Sequence, residues 1–129
     1  MIDHTGVATS NFEASKAFYC AALRSISYEK LVEFPLFQGE VEGGVAGFGV
    51  APKPDFWIHA GTPNNPPIHV AFRASSRAEV DQFYQDALGA GGRDNGKPGL
   101  RPHYHPNYYA AFVLDPDGHN IEVVCHDSV

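Results

Sequence analysis

Apolar and polar residues alternate along this chain in a pattern that occurs twice: a strand-like run, a helical run, then further strand-like runs. The first copy opens with Ile2-Asp3-His4-Thr5-Gly6-Val7-Ala8, a short strand. Ser10-Asn11-Phe12-Glu13 then reads as a capping box and predicts a helix through Phe18-Tyr19 to Leu23. In the second copy Ile68-His69-Val70-Ala71-Phe72 is again a strand, and Ser76-Arg77-Ala78-Glu79 again caps a helix, through Phe83-Tyr84 to Leu88. An offset of 65 residues superposes the two, matching His4 with His69, Ser10 with Ser75, Phe18 with Phe83, Tyr19 with Tyr84, Ala22 with Ala87 and Leu23 with Leu88. The chain reads as a tandem duplication, and such a repeat sets the architecture before any single element does.

After its helix each copy continues in strands. In the first these are residues 28–34, 45–50 and 56–60, separated by Gly43-Gly44 and Pro52-Lys53-Pro54 turns. In the second they are a weak strand over 92–95, then 108–114 and 120–126, with Asp115-Pro116-Asp117-Gly118 as a hairpin turn. The expected architecture is α+β: one domain of two tandem βαβββ modules, over residues 1–62 and 66–129, with curled mixed sheets around a cavity.

Composition narrows the function. With 129 residues, 43% hydrophobic and 19% charged, the chain is globular. Nine Lys+Arg against fifteen Asp+Glu leave a net charge of -6, which argues against nucleic acid or an anionic membrane as partner. No apolar run approaches the roughly 20 residues of a membrane span. The opening residues lack the basic patch and apolar stretch of a signal peptide. Cys20 and Cys125 form no CxxC pair and are too few for a disulfide scaffold. These features point to a cytoplasmic protein that handles a small molecule.

Strand alternation places His4, Gly6 and Ala8 on one face, His69 and Ala71 on one face, and Asn120, Glu122 and Val124 on one face. Glu122 sits between apolar neighbours, where a buried carboxylate needs a partner. A pseudo-twofold between the modules brings His4 and His69 together, and Glu122 completes two imidazoles and a carboxylate. That set suits one divalent ion, Fe, Mn, Zn or Ni, with positions left open for substrate. Several other features read as structural. Cys20 is expected in the core, His119 exposed in its turn, and the glycine-rich stretch 39–49 lacks the GK[ST] ending of a phosphate loop.

The chain resembles the vicinal oxygen chelate superfamily, the glyoxalase, bleomycin-resistance protein and extradiol dioxygenase group. The likeness covers the full length. It rests on Ile2-Asp3-His4-Thr5-Gly6, Ser15-Lys16-Ala17-Phe18-Tyr19, Ile68-His69-Val70-Ala71-Phe72 and, most specifically, the closing run from Phe112 through Asp115-Pro116-Asp117-Gly118-His119-Asn120 to Glu122. The resemblance implies paired βαβββ modules around a metal, ligands from the first and last strand of each module, and a homodimer. Three of the four ligand positions are His4, His69 and Glu122. The fourth is Trp57, where a glyoxalase I has a carboxylate, which argues against that activity and makes Trp57 a cavity-lining candidate. His59, two residues on, is read as a strand-end residue in solvent. A His, His, Glu set is similar to extradiol dioxygenases and fosfomycin-modifying transferases. The implied function is a metal-dependent dioxygenase, lyase, isomerase or thiol transferase acting on a small metal-chelating substrate. The alternative is a metal-free, bleomycin-resistance-like protein that sequesters its ligand.

Residues 91–109 are the expected specificity segment. Arg93, Lys97 and Arg101 cluster there in an otherwise acidic chain, followed by His103, His105 and three tyrosines. Arg101 or Lys97 is a candidate to pair an anionic substrate group. His103 and His105 are candidates for general acid–base chemistry. Tyr109 is the tyrosine candidate suggested by the extradiol branch.

Overall fold

The computed structural model describes residues 1–35 and 43–128, so part of the glycine-rich stretch 39–49 lies outside the described residues. Its elements are β1 (Thr5–Thr9), α1 (Phe12–Ala22), a 3₁₀ turn (Arg24–Ile26), β2 (Glu29–Pro35), β3 (Gly44–Val50), β4 (Lys53–Ala60), β5 (His69–Arg73), α2 (Arg77–Gly89), β6 (Arg93–Leu100), β7 (Tyr109–Leu114) and β8 (Asn120–Cys125). They form two four-stranded sheets of the same order, β1-β4-β3-β2 and β5-β8-β7-β6. In each, the first and last strands of the module pair in parallel and the others antiparallel. This is the α+β fold of two βαβββ modules. The 65-residue offset holds at the level of register. Gly6 pairs with Trp57 as Ala71 pairs with Glu122, and Gly47 pairs with Trp57 as Phe112 pairs with Glu122.

Local chemistry moves some boundaries. β1 starts at Thr5 and leaves His4 outside the ladder. Asn11, not Ser10, caps α1 by accepting the Ala14 N–H at 3.1 Å. Ser10 is occupied elsewhere, its hydroxyl and N–H both donating to Asp117. In the second module Ser76 caps α2 as expected, accepting from Glu79 N–H, while the Glu79 carboxylate takes the Ser75 N–H. The weak strand expected over 92–95 extends to Leu100. Its pattern is disguised because the pairing slips on both sides of Gly96. Cys20 is exposed, since the buried face of α1 carries Phe12, Ser15, Phe18, Tyr19 and Ala22 and Cys20 falls off it. Among the described residues no helix is long and apolar enough to cross a membrane.

α1 packs on α2, and one apolar cluster draws on both modules, including Phe18, Tyr19, Phe48 and Phe56 from the first and Phe72, Phe83, Val113 and Ile121 from the second. The Phe56 and Phe72 rings meet edge-on across the seam at 5.2 Å. Each sheet lays one face on this shared core and turns the other outward. Phe56 and Ile58 face inward on β4, as Ile121 and Val123 do on β8.

The seam is closed by a polar turn. His119, expected in solvent, is 0% exposed. Its Nε2 donates to the Ala8 carbonyl of β1 at 3.0 Å and its Nδ1 accepts the Ile68 N–H at 3.0 Å. Asp115 accepts the N–H groups of Asp117 and His119 on one oxygen and the Tyr19 hydroxyl of α1 on the other. Asp117 accepts the Thr9 hydroxyl at 2.7 Å as well as both Ser10 donors. Partial burial works against the Asp117 charge, yet the hydrogen bonds from Ser10 and Thr9 outweigh it and hold this carboxyl below the ordinary aspartate range.

Two outcomes follow. His119→Ala strands the Ala8 carbonyl and the Ile68 N–H in the interior and lowers the unfolding free energy by about 3 kcal/mol in urea titrations. Asp117→Asn costs about 1–2 kcal/mol near pH 7. A carboxyl with a depressed folded value contributes fully above its unfolded value and loses that contribution as pH falls through the folded one. The gap between wild type and Asp117→Asn, read by urea titration, therefore closes below about pH 4.

Candidate functional site

The site is built on the outward face of the second sheet. β5 begins with His69, whose register partner on β8 is Asn120, and Glu122 lies two residues further along β8. His69 Nδ1 is 3.0 Å from the Asn120 carbonyl oxygen. A carbonyl only accepts, so Nδ1 carries a proton. Nε2 faces Glu122 Oε1 at 3.1 Å. Two lone-pair atoms at this separation attract only when a proton or a cation lies between them. Glu122 is 2% exposed, so its charge is largely withdrawn from water. Its second oxygen accepts the hydroxyl of Tyr108. Burial, and then the neighbouring Glu122 carboxylate, hold that hydroxyl protonated well above the usual phenol range.

His69 lines two clefts. One, of about 590 Å³, is lined by His69, His103, Tyr104, Tyr108, Phe112, Asn120 and Glu122, all of the second module. The other, of about 370 Å³, runs across the seam between the modules and is lined by both His4 and His69 over a floor of Phe56 and Phe72. The duplication thus brings the two histidines to one cleft. Among the described residues, however, no three His, Cys, Asp or Glu side chains gather closely enough to hold one ion. His4 is engaged by Asp3 at 2.7 Å, and Asp3 also pairs with Lys53 at 2.9 Å.

Equivalent rows across the two sheets show how the modules diverged. In the first sheet the row is Gly6, Trp57, Gly47 and Val32; in the second it is Ala71, Glu122, Phe112 and Gly96. The Trp57 ring lies over Gly47, where a Cβ would stand 2.9 Å from it. In the second module the large ring is Phe112, lying over Gly96, where a Cβ would stand 2.8 Å from it. The ring has moved one strand outward, and the place it leaves is taken by Glu122.

The other candidates separate. His103 lines the Glu122 cleft beside Tyr104, their rings 4.2 Å apart. His105 turns to the chain end, its Nε2 2.6 Å from His126 Nδ1. Its Nδ1 accepts the Asn107 N–H, so Nε2 is the donor in that pair. Tyr109 points to the helix side, its hydroxyl donating to Asp81 of α2 at 2.6 Å with Arg77 over the ring. The tyrosine at the site is Tyr108 instead. Strand parity carries the signal: Phe112 pairs with Glu122, and a period of two places 108 and 112 on the same face. Arg101 turns back on its own segment, donating to the carbonyls of Gly99 and Lys97 at 2.8 Å each. Lys97 and His59 are exposed, and Trp57 lines neither cleft.

Tyr108→Phe leaves a buried Glu122 oxygen unpaired and costs about 2 kcal/mol of stability at pH 7. In a Glu122→Gln background the same change costs less, because no buried carboxylate is stranded. A double-mutant cycle by chemical denaturation reads the coupling.

Residues 1–123 match the Glyoxalase/Bleomycin resistance protein/Dioxygenase superfamily. No curated protein matches the chain. Among solved structures, a glyoxalase/bleomycin resistance protein from Albidiferax ferrireducens is similar at 23% identity and a TM-score of 0.75, covering 96% of this chain and 97% of that one. A glyoxylase/bleomycin resistance protein/dioxygenase domain from Frankia gives 12% identity and a TM-score of 0.71, over 98% of each chain. A glyoxalase/bleomycin resistance protein/dioxygenase family enzyme from Burkholderia phytofirmans gives 17% and 0.67, again over 98% of each. With the repeated register, the shared seam and this full-length match together, the chain belongs to the glyoxalase/bleomycin resistance protein/dioxygenase superfamily.

Proposed function

We propose that the protein is a metal-dependent enzyme acting on a small substrate that chelates a divalent ion through two adjacent oxygens. His69 and Glu122 are two of the ligands, and His4, which shares a cleft with His69, is the third. One observation carries this reading. With Nδ1 turned to the Asn120 carbonyl, His69 aims Nε2 at a buried carboxylate oxygen 3.1 Å away, a gap that a proton or a cation fills. Metal-bound histidines characteristically donate their other ring N–H to a carbonyl or carboxylate in this way. A bound Fe, Mn, Zn or Ni ion supplies Lewis-acid polarisation of the substrate oxygens.

The chain's own groups have separate tasks. Tyr108 fixes the orientation of Glu122 through its second oxygen. Phe112 and Tyr104 wall the cleft with aromatic surface and exclude water. His103, exposed at the mouth, moves a proton to or from the substrate. Arg101 is tied to its own segment, and the exposed Lys97 lines neither cleft, so neither cation contacts the substrate directly. The protein works as a homodimer. The outward face of the first sheet, where Phe34 is 46% exposed beside Trp57, is the surface a second copy covers.

Metal content after expression with Fe, Mn, Zn or Ni, with affinities by calorimetry, tests the ligand set. His69→Ala and Glu122→Ala each weaken binding at least about tenfold, whereas Trp57→Phe leaves it unchanged; retention of wild-type affinity by either ligand variant overturns the assignment. A thermal-shift screen with catechols, 2-oxoacids, phosphonates and glutathione adducts then compares metal-loaded and metal-free protein. Binding that persists undiminished without metal identifies a sequestering protein instead of an enzyme.

A further inference from the structure

We infer that Arg101 is a positioning residue: the bulge of β6 from Gly96 to Gly99 is a cradle for its guanidinium, and the cradled cation holds the Phe112 ring against the His69 imidazole. The sequence offers Arg101 as a substrate contact, but its geometry is internal. Nη1 donates to the Gly99 carbonyl and Nη2 to the Lys97 carbonyl, each at 2.8 Å. Such a two-pronged grip uses the planar fork that arginine has and lysine lacks. The β6–β7 pairing slips between Asp94 and Gly96 and again between Gly96 and Gly99, and this irregularity turns the two carbonyls to one donor group.

The glycines make room for it. A Cβ on Gly99 would stand 3.2 Å from Nη1, and one on Gly96 would stand 3.3 Å from Nη2 and 2.8 Å from the Phe112 ring. The guanidinium carbon lies 5.3 Å from the centre of the Phe112 ring, within cation–π range. Phe112 in turn lies at 26° to the His69 ring, their centres 6.4 Å apart. His69 is thereby held by Asn120 at Nδ1, by Glu122 at Nε2, and by Phe112 against its ring. Without the guanidinium the space its fork occupies beside Gly96 and Gly99 opens, the Phe112 ring is free to shift into it, and the imidazole loses that support.

The first test needs no metal. In ¹⁵N-histidine-labelled, metal-free protein, His69 gives an Nδ1–H resonance protected from solvent exchange by the Asn120 carbonyl. Arg101→Met exposes it to fast exchange, and Arg101→Lys, which keeps a cation without the fork, does so to a smaller extent. Gly99→Ala, which displaces the guanidinium by a few tenths of an ångström while leaving Arg101 in place, has a smaller effect in the same direction and serves where Arg101→Met folds poorly. Lys97→Met, on the same segment, leaves the signal unchanged. A resonance as protected in Arg101→Met and Gly99→Ala as in wild type overturns the inference. The second arm rests on the metal reading above: Arg101→Met binds Zn or Mn about tenfold more weakly than wild type. If wild type binds no metal, that reading fails, while the exchange measurement still decides the role of Arg101.

Discussion

The buried imidazole of His119 is the contact on which the arrangement of the two modules depends. It joins a carbonyl of the first strand to an amide at the start of the fifth, and so closes the polar gap where two sheet edges would otherwise face an apolar core. Around it Asp115 and Asp117 reach into the first module, to Tyr19, Thr9 and Ser10. An unpaired backbone group in such a position is costly, so the turn is what lets both helices and both sheets share one interior. The same turn leads directly into β8, and its closure therefore also sets where Glu122 lies.

Glu122 carries the second constraint. A carboxylate in the middle of an apolar strand is unfavourable, and the fold answers with a hydroxyl on one oxygen and an imidazole nitrogen facing the other. Those partners stabilise the charge without covering the cleft. The first module solved the same position differently, with the Trp57 ring lying over Gly47. An internal duplication thus holds one filled and one open version of a single row of positions. The difference comes down to which strand carries the large ring.

The supporting shell lies behind the residues that face the cleft. Asn120 acts on His69 through its backbone, Tyr108 acts on Glu122, and Arg101 acts through Phe112. A set of donors held within a narrow range of orientations needs such support, since exposed loops alone position side chains loosely. The segment expected to recognise substrate is divided accordingly. His103 and Tyr104 face the cleft, while Arg101 and His105 secure the segment to β6 and to the chain end.

The repeat, the two βαβββ modules and the pairing of Trp57 with Glu122 as equivalent positions were all legible in the sequence. They follow from local periodicity and from a fixed offset, and neither depends on how the modules pack. The need of Glu122 for a partner was also legible, because burial between apolar neighbours is a local property. What the sequence left open were the identities of partners distant in the chain. His119 looks like a turn residue until a second module stands against it, and only then does its ring have a carbonyl and an amide to join. Tyr108 and Tyr109 are indistinguishable by composition; the strand register turns one to Glu122 and its neighbour to Asp81 on α2. Arg101 reads as a free cation until the slipped pairing of β6 points two carbonyls at it. Periodicity determines which face a residue shares, but only the packed structure decides what stands opposite, because hydrogen bonds and ring contacts act over a few ångströms between residues many positions apart.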